Sequence, residues 1–303
     1  MTSRPVFIIG CPRSGTSITL DLLSAHEDFA WVSNLLNEFP RKLELSSFNR
    51  VFDSERGAFL LLKRHQVKTL PVPVEPWGFW TTYLRRFRWK TGGELPPHRH
   101  NEKDITSEEA KTVGYVVNAI CNYQRKERFL SKYTDFPRIK YLTQAFPDAV
   151  FVHVVRDGRA VAYSYYEQLM RGSWRTWEER EWWIRGWPEP WRKEWLAKYK
   201  CRLAFVAYQW MYFVNEIWED ARDLSCSQFV EVRYKELVKS PKMVLANIFE
   251  KCDLRMSSRV DWYADRLALT DMNLKWREAL RVEERVMLNK IMKEDRFTRL
   301  FDS

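Results

Sequence analysis

The sequence predicts an α/β fold, with a central parallel sheet flanked by helices and a helical C-terminal half. Three observations predict it. The near-continuous apolar runs Val6–Ile9 and Ala149–Val155 have the length and composition of strands buried on both faces. Each runs into a glycine-bearing turn and then an apolar-periodic helix, the order of a βα unit. From Tyr199 onward the periodicity is helical, broken by one strand near 228–232. The other strands are expected near 5–10, 29–32, 128–131 and 149–155. The 303 residues suffice for one large domain, taken as 1–303 with a Trp- and Arg-rich helical insert around 171–200.

Composition narrows the class. Hydrophobic content of 45% supports a packed core, while a mean hydropathy of −0.49 argues against an integral membrane protein. No run approaches 18 apolar residues, and Ser3-Arg4-Pro5 leads straight into the first strand without a signal-peptide pattern. The five cysteines are scattered, with no C-x-x-C, and read as small buried residues of a reducing, cytoplasmic compartment. A formal net charge of +10 implies attraction to polyanions: a phosphate-bearing cofactor, an acidic acceptor, nucleic acid or a membrane surface.

The first strand opens the key stretch. Gly10 ends it, and Cys11-Pro12-Arg13-Ser14-Gly15-Thr16-Ser17 turns into a helix carrying Ile18, Leu20, Leu22 and Leu23. Strand, glycine-bounded loop and helix start form a phosphate cradle, in which loop N–H groups and the positive end of the helix dipole converge on an anion. The spacing is a Walker A skeleton, the mark of a P-loop nucleoside-triphosphate-hydrolase-like fold, but Thr16 stands where the nucleotide-hydrolysing motif carries lysine. Hydrolysis of ATP or GTP is therefore poorly supported, and Arg13 offers a permanently charged planar fork instead. The bland alternative is a tight turn with an exposed arginine.

Phe29–Val32 is the second strand, with Ser33, Asn34 and Glu38 at its carboxyl end. In an open α/β sheet that edge faces the crevice of the phosphate loop, so Glu38 is either a general base or a solvated helix carboxylate. A helix over 56–70 is broken by Pro71-Val72-Pro73-Val74-Glu75-Pro76-Trp77. Glu75 there is either a placed carboxylate in an acceptor-site wall or part of a loop pinned by aromatics. The basic stretch Arg85–His100 reads as an exposed connector or acceptor loop, and its His98-Arg99-His100 alternates with arginine too closely to hold a metal. Thr106-Ser107-Glu108-Glu109 is a capping box opening a helix. Phe129-Leu130-Ser131-Lys132 is a short strand ending in lysine, and a helix follows over 136–146.

The second strong stretch is the Ala149–Val155 strand, with Arg156-Asp157-Gly158-Arg159-Ala160 turning into a helix that carries Ser164. His153, inside the strand, reads as a core histidine. Between Trp174 and Trp195 seven tryptophans interleave with arginines and lysine around Pro188-Glu189-Pro190. They are read as aromatic packing with a solvated basic face, or else as a sugar-stacking platform or an interfacial segment making peripheral contact with anionic lipid. Helices over 199–223, 241–252, 257–269 and 282–293 complete the chain.

Together these motifs resemble the P-loop sulfotransferases that use 3′-phosphoadenosine 5′-phosphosulfate (PAPS). The 11–17 loop is similar to that family's 5′-phosphosulfate loop, and Arg156 with Ser164 to its 3′-phosphate element. Phe129–Lys132 resembles the segment supplying its catalytic lysine. Phe229-Val230-Glu231-Val232-Arg233-Tyr234-Lys235-Glu236-Leu237 is similar to the strand-turn whose tyrosine helps hold the nucleotide, and Lys275-Trp276-Arg277 to the basic loop that closes over it. The pattern is nearer the tyrosylprotein and bacterial carbohydrate or lipid branches than the cytosolic phenol enzymes. In the tyrosylprotein branch a glutamate follows the second strand as base; Asn34 stands there in this chain, leaving Glu38 or Glu75 to substitute. The resemblance implies transfer of a sulfuryl group from PAPS to a hydroxyl or amine of a glycan, lipid or peptide acceptor. The product nucleotide would be adenosine 3′,5′-bisphosphate, with no metal and no specific nucleic-acid partner. Loop N–H groups with Arg13, Ser14, Gly15, Thr16 and Ser17 would hold the 5′-phosphate, and Lys132 would stabilise the leaving oxygen. The rival readings are a small-molecule P-loop kinase and a non-enzymatic basic module for nucleic acid or anionic membrane.

Overall fold

The computed structural model describes residues 4–62, 70–84, 105–134, 136–172, 187–298 and 300. Five strands, β1 (Val6–Gly10), β2 (Phe29–Trp31), β3 (Arg128–Thr134), β4 (Val150–Val155) and β5 (Phe229–Arg233), form one sheet in the order β2-β3-β1-β4-β5. Every pairing is parallel. β1 therefore sits at the centre with β3 and β4 on either side, and the loops leaving these three strands open onto one crevice at their carboxyl ends.

The strand period of two decides what each face meets. Val6 and Ile8 of β1, with Val152 and Val154 of β4, pack on helix α1 (Thr16–Ser24) and on the helices Pro241–Lys251 and Ser258–Arg266. Between α1 and the other face the chain forms α2 (Asn34–Glu38) and α3 (Glu55–Leu62). Phe7 and Ile9, with Phe129 and Phe151, face α4 (Trp77–Tyr83), α5 (Ser107–Gln124) and α6 (Ile139–Ala145). A third apolar cluster joins α7 (Gly158–Met170) to the helix Arg202–Ala221. Its Trp187, Trp191 and Trp195 are buried in that cluster, so these three carry the packing reading of the tryptophan-rich stretch. Trp174, Trp177, Trp182 and Trp183 lie outside the described residues, as do the 85–100 connector and His98-Arg99-His100.

Several boundaries differ from expectation for physical reasons. β3 does not stop at Lys132 but runs to Thr134, because β1 offers partners that far: Ile9 pairs with Tyr133 and Gly10 with Thr134. The helix expected over 136–146 begins at Ile139; Pro137 disfavours helical geometry at Phe136, and both Phe136 and Arg138 are buried. The helix expected from Tyr199 begins at Arg202, after a π-helical turn at Trp195–Tyr199 and an extended Cys201. Of the helix expected over 56–70, α3 accounts for the described part. Cys201 and Cys226 are exposed rather than buried; Cys11, Cys121 and Cys252 are buried, and all five are free thiols. Among the described residues, no helix is long and apolar enough to cross a membrane.

His153 is fully buried, and neither ring nitrogen has a hydrogen-bond partner among the described residues. Burial lowers its pKa to about 4, against the opposing pull of Glu231, whose carboxylate lies 3.8 Å away. The folded-state pKa is thus depressed, and on acidification the unfolded chain takes up the proton first. Stability is complete above pH ~6.5 and falls as pH drops toward 4, a contribution of up to about 3 kcal/mol. In urea titrations, His153→Leu should lose this part of the pH dependence between pH 7 and 4.5. A second prediction concerns Gly158, where an added Cβ would lie 2.5 Å from the ring of fully buried Trp210. Gly158→Ala should cost about 1–3 kcal/mol in the same assay, since the indole has no free volume to move into.

Candidate active site

The loop after β1 is built on two glycines that need their lack of a side chain. Gly15 (φ 102°) precedes α1, and a Cβ there would meet the Tyr234 ring at 2.6 Å; a Cβ on Gly10 would lie 2.5 Å from the Val154 carbonyl. Between them Arg13 is left-handed (φ 75°), and the Ser14 amide closes a turn onto the Cys11 carbonyl. No side chain caps α1, so the first amides of the helix, which have no intrahelical acceptor, are left for an anion.

This loop forms the floor of a cavity of about 590 Å³. Of the residues expected to act there, Arg13, Gly15, Thr16, Ser17, Glu75, Lys132, Arg156, Ser164, Tyr234 and Lys275 all line it. Ser14 does not; it is buried, and its Oγ has no partner among the described residues. Glu38 is exposed at the end of α2, away from the lining. Trp276 is buried in the α7 cluster, with Arg159 and Arg277 against its ring, and neither Trp276 nor Arg277 lines the cavity. Five cationic side chains (Arg13, Lys132, Arg156, Arg171, Lys275) face two carboxylates, Glu75 and Glu167. The donor set, rich in fixed N–H groups and cations around a glycine-shaped floor, fits a ligand bearing more than one anionic group.

Two pieces of geometry stand out. The first surrounds Lys132, on the face of β3 covered by α1. Its Nζ donates to Ser17 Oγ at 2.9 Å and lies 3.3 Å from Glu75 Oε2. Glu75 reaches this point because the proline-rich segment runs antiparallel to the exit of β2: Val74 N–H donates to the Val32 carbonyl, Asn34 N–H to the Val72 carbonyl, and Ser33 bridges Pro73. Thr134, two residues beyond Lys132, then anchors the carboxylate, both its N–H and its Oγ1 (2.7 Å) donating to Glu75 Oε1. Sequence spacing could not rank Glu75 above Glu38, because this strand-like pairing of an irregular segment leaves no periodic signal.

The second surrounds Arg156. Its guanidinium donates to Asn273 Oδ1 (2.9 Å), to the Met272 carbonyl and to the Arg13 carbonyl (3.2 Å), and stacks 4.4 Å from the centre of the Tyr234 ring. Burial pulls its pKa below the usual arginine range, opposed by Tyr234, Asp271 and Asp157. Arg13 Nε in turn donates to Ser164 Oγ at 3.0 Å, so the two loop arginines share one crevice. Glu167 and Asn273 were not anticipated. Glu167 pairs with Lys275 (3.2 Å) and Arg171 (2.8 Å); burial would raise its pKa, but these cations hold it below the usual carboxylate range. Its position one turn after Ser164 was the available signal.

A model of the sulfotransferase family matches residues 5–258, from β1 to the start of the helix Ser258–Arg266. No curated protein sequence matches the chain. Among solved structures it is similar to sulfotransferase STF9 from Mycobacterium avium, at 16% identity over 100% of this chain and 78% of that one, with a TM-score of 0.53. It is also similar to sulfotransferase STF1 from Mycobacterium tuberculosis, at 14% identity over 96% and 76%, with a TM-score of 0.51. At such identities these likenesses concern the fold. With the family match covering the phosphate loop, Lys132, Arg156 and Tyr234, the chain belongs to the sulfotransferase family.

Proposed function

We propose that the protein transfers a sulfuryl group from PAPS to a hydroxyl or amine of a glycan, lipid or peptide, with 1–303 acting as one domain. The observation that carries this reading is Lys132 Nζ set between Ser17 Oγ, at the mouth of the phosphate loop, and the Glu75 carboxylate. A cation and a carboxylate thereby meet where the loop would present an anionic leaving group.

When bound, the donor would supply an activated sulfuryl group on a phosphate. The N–H groups of residues 15–17 and the Arg13 fork would hold that 5′-phosphate. Arg156 and Ser164 would hold the 3′-phosphate, Tyr234 would flank the nucleotide, and Lys275 would close the rim. Lys132 would donate to the oxygen that gains charge as the leaving group departs, a kind of electrostatic stabilisation whose loss costs about 100- to 1,000-fold in rate. Glu75 would accept the acceptor's proton on Oε2, because Oε1 is already occupied by Thr134. Glu38, exposed and outside the cavity, has no such position.

Two predictions test this. Adenosine 3′,5′-bisphosphate should raise the melting temperature, and Arg156→Ala should weaken its binding about tenfold or more, since the lost bonds are charge-assisted. Stabilisation by ATP with magnesium alone would indicate a kinase, and salt-steep binding of oligonucleotides alone a polyanion-binding module. In assays with labelled PAPS and a panel of acceptors, scored by mass spectrometry for a gain of SO₃, Lys132→Ala and Glu75→Gln should each lower turnover about 100-fold. Calorimetry should find nucleotide affinity retained within about threefold in both, each being a transition-state rather than a ground-state contact.

A further inference from the structure

Thr134 has no part in the motifs that define the nucleotide site, yet its N–H and hydroxyl both donate to the Glu75 carboxylate. From this geometry we infer that Thr134 is a positioning residue, which fixes the Glu75 carboxylate for proton acceptance and keeps it from collapsing onto Lys132. This inference rests on the reading of Glu75 as the base.

The case begins with the strand. Lys132 and Thr134 are two residues apart on β3 and therefore project from the same face of the sheet. Glu75 comes from a separate segment and meets both. A carboxylate beside an ammonium in a largely buried setting is drawn into a closed ion pair with it. Such a closed pair would occupy the base and the leaving-group cation with each other. Thr134 opposes this closure. Its backbone N–H and hydroxyl converge on Oε1, while Oε2 is the oxygen that lies 3.3 Å from Lys132 Nζ. Pro76 on one side of Glu75, and the backbone pairing of Val74 with Val32 on the other, hold the segment from which the carboxylate projects. The side-chain torsions of Glu75 remain as the freedom to be removed, and the threonine hydroxyl removes it.

Thr134→Val keeps the shape and the backbone N–H but deletes the hydroxyl, and Thr134→Ser restores it. Crystals of Thr134→Val should show the Glu75 carboxylate rotated, with Oε1 withdrawn from residue 134 toward Lys132 Nζ and the 11–17 loop unmoved. With PAPS and the best acceptor of the panel, kcat should fall about tenfold, because misplacing a reacting group by an ångström is costly. Affinity for adenosine 3′,5′-bisphosphate should stay within twofold, and Thr134→Ser should recover most of kcat. An unmoved Glu75 with wild-type kcat in Thr134→Val, or a loss of nucleotide affinity matching the loss of kcat, would overturn the role of Thr134. Glu75→Gln run alongside separates the two readings: full turnover there removes Glu75 as base, whereas its inactivity beside a normal Thr134→Val removes Thr134 alone.

Discussion

The Arg156 guanidinium is the contact on which the site depends. It donates to the carbonyl of Arg13 in the loop after β1, to Met272 and Asn273 in the segment before the helix Lys275–Ala279, and lies over the ring of Tyr234, just after β5. Three stretches far apart in sequence are thereby held to one planar cation. A lysine in its place would offer no fork and no face to stack, so the arginine is specified by geometry as much as by charge. The left-handed Arg13 and the close approach of Tyr234 to Gly15 belong to the same arrangement. Each places a group at the cavity floor that the others would otherwise leave unsupported.

Charge in the cavity is arranged in pairs rather than as a bare positive surface. Lys132 faces Glu75, and Lys275 with Arg171 faces Glu167. Pairing lowers the cost of gathering five cations in one crevice. It also gives the two carboxylates different surroundings. Glu75 is held from the sheet by Thr134, whereas Glu167 is held by cations of α7 and the C-terminal segment. The anchored one is suited to chemistry, and the other ties the rim to α7.

Much of this was legible in the sequence. The five strands lie within a few residues of their expected places, because two-sided burial writes continuous apolar runs. The glycine-bounded loop after β1 and the Arg156 turn were legible as turns because glycine marks the positions where the chain bends most tightly. Long-range pairings left no local signal. Nothing in the spelling of Pro71–Pro76 says that it lies alongside Val32, and nothing near Lys132 says that β3 continues two residues further. For the same reason Glu38, closer to the second strand in sequence, was the first candidate base, although it is Glu75 that lines the cavity. Trp276, which the family resemblance placed in a loop closing over the nucleotide, is buried in the apolar cluster, as a large aromatic ring beside a core often is.

The extension of β3 past Lys132 has a dynamic consequence. The ammonium and the anchor of the carboxylate ride on one extended backbone, a rise of about 6.6 Å apart, and that backbone is hydrogen-bonded to β1 through Gly10. Breathing of the sheet carries both along as a unit. Thermal motion of the surrounding helices and loops can thus widen or narrow the crevice while leaving the separation between these two anchor points almost untouched.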